Sequence, residues 1–432
     1  MNNIKILCII LLSVCGCLTQ AKQNVILMIS DGQGYNTLNA ANMYLGYNFM
    51  EQFGFDVKMS MQTYSASNPT GDYNAVKMWG DIKWAGNIPT DSAAAASTIY
   101  TGKKHYNNAI NQINGQNTTS IFDLASKRGY ATGAITTVAF SHATPAACGA
   151  HNRSRANYSE IANEMIFKSG LDVIMGAGHP FYNDDGTQRN APDYNYVGGK
   201  NTWEEIIANK ANNFTMIETK TDFEQLAKGS LNQDKVIGII QAATTAQQAR
   251  PAGAKFNTNV PSLATMSIGA LNVLNKNENG FCIMIEGGAV DWANHANQKD
   301  RMIEEELDFF AAVKAVIEWV EKNGSWNDTL LIITADHECG FLTGDVNSLG
   351  DIVSNGRISI PKMEFNSQKH TNSLVPFFAK GKNAEMFNNY IIGSDKIGSS
   401  FYFGINSRNY IDNTTIFKVM DCTNSEVKAA KK

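Results

Sequence analysis

Six short apolar runs recur along the chain, and each closes on polar residues before a helical pattern begins. They are NVILMIS before Asp31, ATGAITTV before Ser141, LDVIMGAG before His179, VIGII before Gln241, FCIMI before Glu286 and TLLIIT before Asp336. Continuous runs of this kind, rich in β-branched residues and without in-out alternation, read as strands buried on both faces. Because they alternate with helices, they predict an α/β fold: a central, mainly parallel β-sheet with helices on both faces. Such sheets carry ligands just past the carboxyl ends of their strands, where this chain sets its acids and histidines.

The longest helical pattern is MIEEELDFFAAVKAVIEWVEKNG, in which Ile303, Leu307, Phe310, Val313 and Ile317 fall on one face and Asn323-Gly324 supplies the stop. Two polar, Gly-rich stretches, Asp184 to Asn201 and Asp345 to Ser359, read as surface excursions or small insertions. No internal repeat or low-complexity tract interrupts the pattern.

At 432 residues, 43% hydrophobic and 18% charged, the chain can bury one large core. A net charge of -4 without basic clusters argues against a nucleic-acid partner. The opening MNNIKILCIILLSVCGCLTQAKQ has a lysine-bearing start, an apolar run from Ile6 to Leu18 and a small-residue ending, the anatomy of a signal peptide over residues 1–21 ahead of one catalytic domain over 22–432. The rival is a lipoprotein signal, with Cys17 carrying the lipid anchor. Either predicts export, to the periplasm or the cell envelope. No other run approaches the roughly twenty apolar residues of a membrane span. Cys148, Cys282, Cys339 and Cys422 form neither a paired-cysteine metal pattern nor a dense disulfide framework, so free, mostly buried thiols are expected.

The chemistry gathers at the strand ends. Asp291 and His295 at i, i+4 place a carboxylate and an imidazole on one face of a helical turn, which suits two ligands of one divalent metal; Glu286 precedes them. In ITADHECG, Asp336 and His337 are neighbours whose side chains diverge, as two nearby metals would require. Asp31 ends its strand and could equally cap the next helix, and His370 lies in a loop before the apolar run SLVPFF. Mixed oxygen and nitrogen ligands without thiolate suit zinc, and an oxygen-only site suits magnesium.

In IPTDSAAAASTIYTG, Ser92 heads an alanine-rich helix with Thr90 or Asp91 as its cap, beside free backbone N–H groups that favour an anion such as phosphate. No Gly-x-Ser-x-Gly elbow surrounds it, so a zinc ion in place of a histidine base could activate the hydroxyl. In SHATPAACGAHNRSRANY, Thr144-Pro145 is expected to begin a helix with proline at its first position. The Thr144 oxygen suits a hard cation, and Arg155 offers the planar fork that pairs two phosphate oxygens, with Arg153 as its competitor.

Taken in order, Asp after the first strand, TDSAAAAS, HATPAA with a downstream SR, EGGAVDWANH, TADHE and KHT resemble the alkaline phosphatases of the bacterial periplasmic type, over nearly all of the mature chain. The resemblance implies hydrolysis of phosphate monoesters with Ser92 as nucleophile and Arg155 as phosphate clamp. It implies one Zn2+ on Asp291, His295 and His370, a second on Asp31, Asp336, His337 and Ser92, and a Mg2+ on Asp31, Thr144 and Glu286. It also implies a homodimer. Two positions depart from the best-known branch: His142 stands where that branch has an aspartate near the third ion, and Trp292 where it has a lysine near the phosphate. These bear on the third metal's identity and on phosphate release. A phosphodiesterase or sulfatase on the same metal scaffold is the nearest alternative, although Ser92 is followed by Ala93-Ala94 and lacks the sulfatase signature. A non-catalytic surface protein that binds metal or phosphate is the alternative from another class.

Overall fold

Every run read as a buried strand lies in one sheet. In the computed structural model, residues 22–346, 349–398 and 408–425 are described. The expected signal peptide with Cys17, and the Cys422 side chain, lie outside them. The sheet has eleven strands: β1 (Gln23–Ser30), β2 (Val57–Gln62), β3 (Ala131–Ala139), β4 (Val173–Ala177), β5 (Thr215–Ile217), β6 (Val236–Ile239), β7 (Gly280–Gly287), β8 (Thr329–Thr334), β9 (Val375–Gly381), β10 (Gly393–Ser394) and β11 (Asn409–Asp412). Their spatial order is β10-β11-β2-β9-β8-β1-β7-β3-β4-β6-β5, and the pairings from β8 through β5 are all parallel. Strand β9 runs antiparallel to both β8 and β2, so the sheet is mixed at one side and parallel at its centre.

Alternate residues of β1 serve opposite layers, as a pleat requires. Val25, Leu27 and Ile29 join one apolar cluster, and Ile26 and Met28 join the other. The first layer includes helices α2 (Ser92–Thr101) and α7 (Thr414–Ser425); the second includes α1 (Tyr35–Leu45), α4 (Leu263–Leu274) and α6 (Lys299–Asn323). Both faces are therefore covered, and the α/β expectation holds.

Helix α6 buries Ile303, Phe310, Val313 and Ile317 as its pattern predicts, and also buries Glu305 and Glu306. Helix α3 (Ala143–Ala146) departs from expectation. His142 holds its N-cap position without a side-chain capping bond, Pro145 falls at its third position, and Arg155 stands beyond it in a separate turn. Of the two excursions, Asp184 to Asn201 is anchored by buried Val197, and the described part of the other by buried Ile352. Cys148, Cys282 and Cys339 are free and buried.

The register decides where the chemistry falls. Ile29 lies beside Glu286 on one side and Thr334 on the other, and Glu286 lies beside Thr136 on β3. The carboxyl ends of β1, β7, β8 and β3 thus meet at one edge, and Asp31, Glu286, Asp336 and His142 emerge there together.

Candidate active site and metal centre

At the start of α2 the cap is Asp91: its Oδ1 accepts from the Ala94 N–H at 2.9 Å and its Oδ2 from the Asn108 N–H at 2.9 Å. Ser92 is released from capping, and its Oγ stands 3.2 Å from His337 Nε2. Arg155 Nη1 donates to Asp91 Oδ2 at 3.2 Å, so the cap residue also fixes the guanidinium. Arg153 is exposed, whereas Arg155 lines the same cavity as Ser92, which separates the two arginines that the sequence leaves equivalent. That cavity, about 540 Å³, is lined by Ser92, Arg155, Asp291, His295 and His370, with His142, Trp292 and Gln248 on its walls.

Helix α5 (Ala289–His295) brings Asp291 and His295 to one face: His295 Nε2 lies 3.4 Å from Asp291 Oδ2. His370 reaches the same place from a two-residue strand, His370–Thr371, with its Nε2 at 3.4 Å from Asp291 Oδ1 and 3.0 Å from His295 Nε2. Each ring is oriented from behind. His295 Nδ1 stands 2.6 Å from the Gln368 carbonyl and His370 Nδ1 2.8 Å from that of Thr90, so those nitrogens donate and both Nε2 atoms face inward. Two imidazole nitrogens converging beside a carboxylate suit a cation between them.

Deeper in the site, His337 Nε2 stands 3.1 Å from Asp336 Oδ2 and 3.5 Å from Asp31 Oδ1. Asp31 caps nothing: helix α1 starts after Gly34, leaving the carboxylate to the cluster. Glu286 accepts from Thr136 and adjoins the Thr144 hydroxyl. Asp291 belongs to both groups, since its ligand atoms also lie within 4.8 Å of those of Asp31 and His337.

The electrostatics point the same way. Burial, reinforced by Asp336, Asp291 and Glu286, pushes Asp31 far above the usual carboxylate range. Burial also raises Glu286 to about 7 and Asp336 to about 6. Asp291 is the exception: burial would raise it, but His370 and His295 hold it well below its ordinary value. His370, opposed by burial, is raised to about 9 by Asp291. Burial and the Arg155 charge lower His142 to about 3, so it is a neutral imidazole. Asp31 Oδ1, Asp291 Oδ1, Asp336 Oδ2, Glu286 Oε1, Thr144 Oγ1 and His337 Nδ1 are all buried without a well-aligned hydrogen bond. Buried polar atoms are seldom left so, and the five oxygens gathered here fit a set of divalent cations.

All the candidate residues meet at this edge; Trp292 and His142 are 5.5 Å apart between ring centroids, and Tyr158 stacks on His142 at 6.0 Å. Three features escaped the sequence reading. Asp91 was legible only as a cap. Gln248 carries no motif and arrives from the loop after β6. Cys339, two residues past His337, lies in the first histidine cluster instead of apart from it.

The alkaline phosphatase family model matches residues 22–385. Alkaline phosphatase 4 of Bacillus subtilis (strain 168) is 33% identical over 340 residues, 75% of this chain, and the match spans 63% of that relative's length. Alkaline phosphatase of Escherichia coli (strain K12) is 27% identical over 412 residues, 84% of this chain and 82% of that protein. Among solved structures, alkaline phosphatase from the Antarctic bacterium TAB5 superposes with a TM-score of 0.65 at 26% identity, covering 94% of this chain and 99% of that one.

Proposed function

The chain belongs to the alkaline phosphatase family, and from that premise we propose that it hydrolyses phosphate monoesters to an alcohol and inorganic phosphate through a phosphoserine on Ser92. Asp291, His295 and His370 would hold one zinc ion, Asp31, Asp336 and His337 with Ser92 a second, and Asp31, Thr144 and Glu286 a magnesium ion. The observation that carries this reading is the opening of Ser92, Arg155 and the Asp291, His295, His370 cluster onto one cavity.

Bound divalent ions supply Lewis acidity, lowering the pKa of a hydroxyl and neutralising charge on phosphate oxygens. The side chains do the rest. Ser92 Oγ forms the new bond to phosphorus as the ester P–O bond breaks, and a water then displaces the serine, so two in-line steps restore the configuration. Arg155, held by Asp91, presents its fork to two phosphate oxygens, and the start of α2 adds backbone N–H groups and a favourable dipole. A doubly charged monoester gains more from that fork than a diester does, which favours the monoesterase over a diesterase. His142 and Trp292 bring no charge to the cavity, so phosphate is held with one cation fewer than a lysine at position 292 would provide.

Export across a membrane follows from the N-terminal sequence, with cleavage after residue 21 or a lipid on Cys17 as the two forms, and a homodimer is the assembly that goes with the family. Acid quenching during turnover of an aryl phosphate, followed by mass spectrometry, tests the chemistry. A phosphate adduct on the peptide bearing Ser92 is expected; full turnover with no such adduct would contradict it.

A further inference from the structure

Cys339 sits where a metal ligand would sit. Its neighbours just past β8, Asp336 and His337, already belong to the candidate site, and Glu338–Cys339 pairs antiparallel with His370–Thr371. The register sets Glu338 opposite Thr371 and Cys339 opposite His370. Side chains of directly opposed residues share a face, and successive residues alternate. Glu338 and Thr371 take one face, where the Thr371 hydroxyl donates to the Glu338 carboxylate. Cys339 and His370 take the other, which is the face of the histidine cluster. The backbone is tied there as well: the Cys339 N–H donates to Gly32 O at 3.1 Å, and Asn294 Nδ2 of α5 donates to the same carbonyl at 3.1 Å.

As a result, Cys339 Sγ and the ligand atoms of Asp291, His295 and His370 all lie within 4.8 Å of one another. The thiol is fully buried and lies within hydrogen-bond reach of the Asp291 carboxylate. A thiol that faces a carboxylate and two imidazoles does not suit an inert core cysteine, whose neighbours are apolar. Resting on the metal-centre reading above, we propose that Cys339 is a sulfur ligand of the cation held by Asp291, His295 and His370. Ligation exchanges the S–H bond for a sulfur–metal bond and releases one proton to solvent through the cavity. A soft thiolate added to an oxygen and nitrogen set shifts preference toward zinc, cadmium and cobalt over magnesium.

The test is cobalt(II) titration of the metal-free full-length protein, followed by absorption. With the first equivalents, a near-ultraviolet sulfur-to-cobalt charge-transfer band is expected alongside the visible d–d bands. Cys339→Ser should lose the first and keep the second, and Cys148→Ser and Cys282→Ser should keep both. The same Cys339→Ser change should weaken cadmium binding by roughly 10- to 100-fold. Visible bands without charge transfer would overturn the thiolate assignment while leaving the metal centre intact; failure to bind cobalt at all would remove the centre and the assignment together. Should Cys339→Ser fail to fold, zinc-edge X-ray absorption of the unaltered zinc-loaded protein decides. A sulfur shell at about 2.3 Å is expected, and nitrogen and oxygen alone at about 2.0–2.2 Å would overturn it.

Discussion

A serine at the head of a helix is ordinarily a cap, and here the neighbouring aspartate takes that duty. Because Asp91 accepts the Ala94 N–H, the Ser92 hydroxyl is left to the cavity, and because Asp91 also holds Arg155, the proposed nucleophile and clamp share one support. Ser92→Ala should lower turnover roughly 10³-fold or more while leaving metal content intact, measured by steady-state rates and elemental analysis. Arg155→Ala removes charge-assisted hydrogen bonds of about 1.5–3 kcal/mol, so inhibition by inorganic phosphate should weaken about 10- to 100-fold, with a smaller effect on a diester. A third residue sets a pH dependence away from the site. His151 lies 3.1 Å from Glu164 and 3.6 Å from Asp123; burial alone would lower it, but the two acids raise it to about 9. A pKa raised on folding stabilises fully below the unfolded value near 6.5 and ceases to do so as pH rises through 9. His151→Gln should therefore lower the thermal midpoint at pH 6 and lose most of that deficit by pH 10, as differential scanning calorimetry would read.

At the scale of elements, close approach of β1 to α5 assembles the two candidate metal groups. Gly32, at φ +76°, leaves so little room that an added Cβ would lie 2.7 Å from the Asp291 Cα. Gly54, at φ +57°, has open space around it. Both Gly→Ala changes carry the left-handed penalty of about 1–2 kcal/mol. Only Gly32→Ala should also displace Asp291 and weaken zinc binding, which calorimetric titration of both variants would show. The strands and the gathering of the candidate residues at one edge were legible because continuous apolar runs ending in acids and histidines mark a parallel sheet and its ligand edge. The antiparallel β9 was not, since an apolar run carries no sign of its direction. Nor was the burial of Glu306 behind Asp31, where it accepts from Ser30 and Gln33; a glutamate within EEE reads as solvated until the packing of α6 against β1 is known. Cys339 eluded the reading for the same reason, because only the pairing with His370 reveals which way its thiol faces.

Over the whole molecule, folding brings Asp31, Glu286, Asp291 and Asp336 into one buried volume, a charge load that the metal-free protein bears poorly. Asp31 is raised strongly, Asp336 to about 6 and Glu286 to about 7. A carboxyl raised on folding stabilises below its unfolded value near 4 and ceases to do so as pH climbs through its folded value. The metal-free protein should thus lose thermal stability between about pH 4 and pH 7, and the stabilisation gained on adding zinc should grow across the same interval, toward about 4 kcal/mol with free zinc 1,000-fold above Kd. Thermal scans across that range, with and without chelator, check both slopes. The most direct measurement is hydrolysis of an aryl phosphate monoester beside its diester and sulfate analogues at alkaline pH, before chelation, after it, and after zinc is restored. Monoester preference that disappears on chelation and returns with zinc is the expected result. Diester or sulfate preference, or turnover indifferent to chelation, would contradict it.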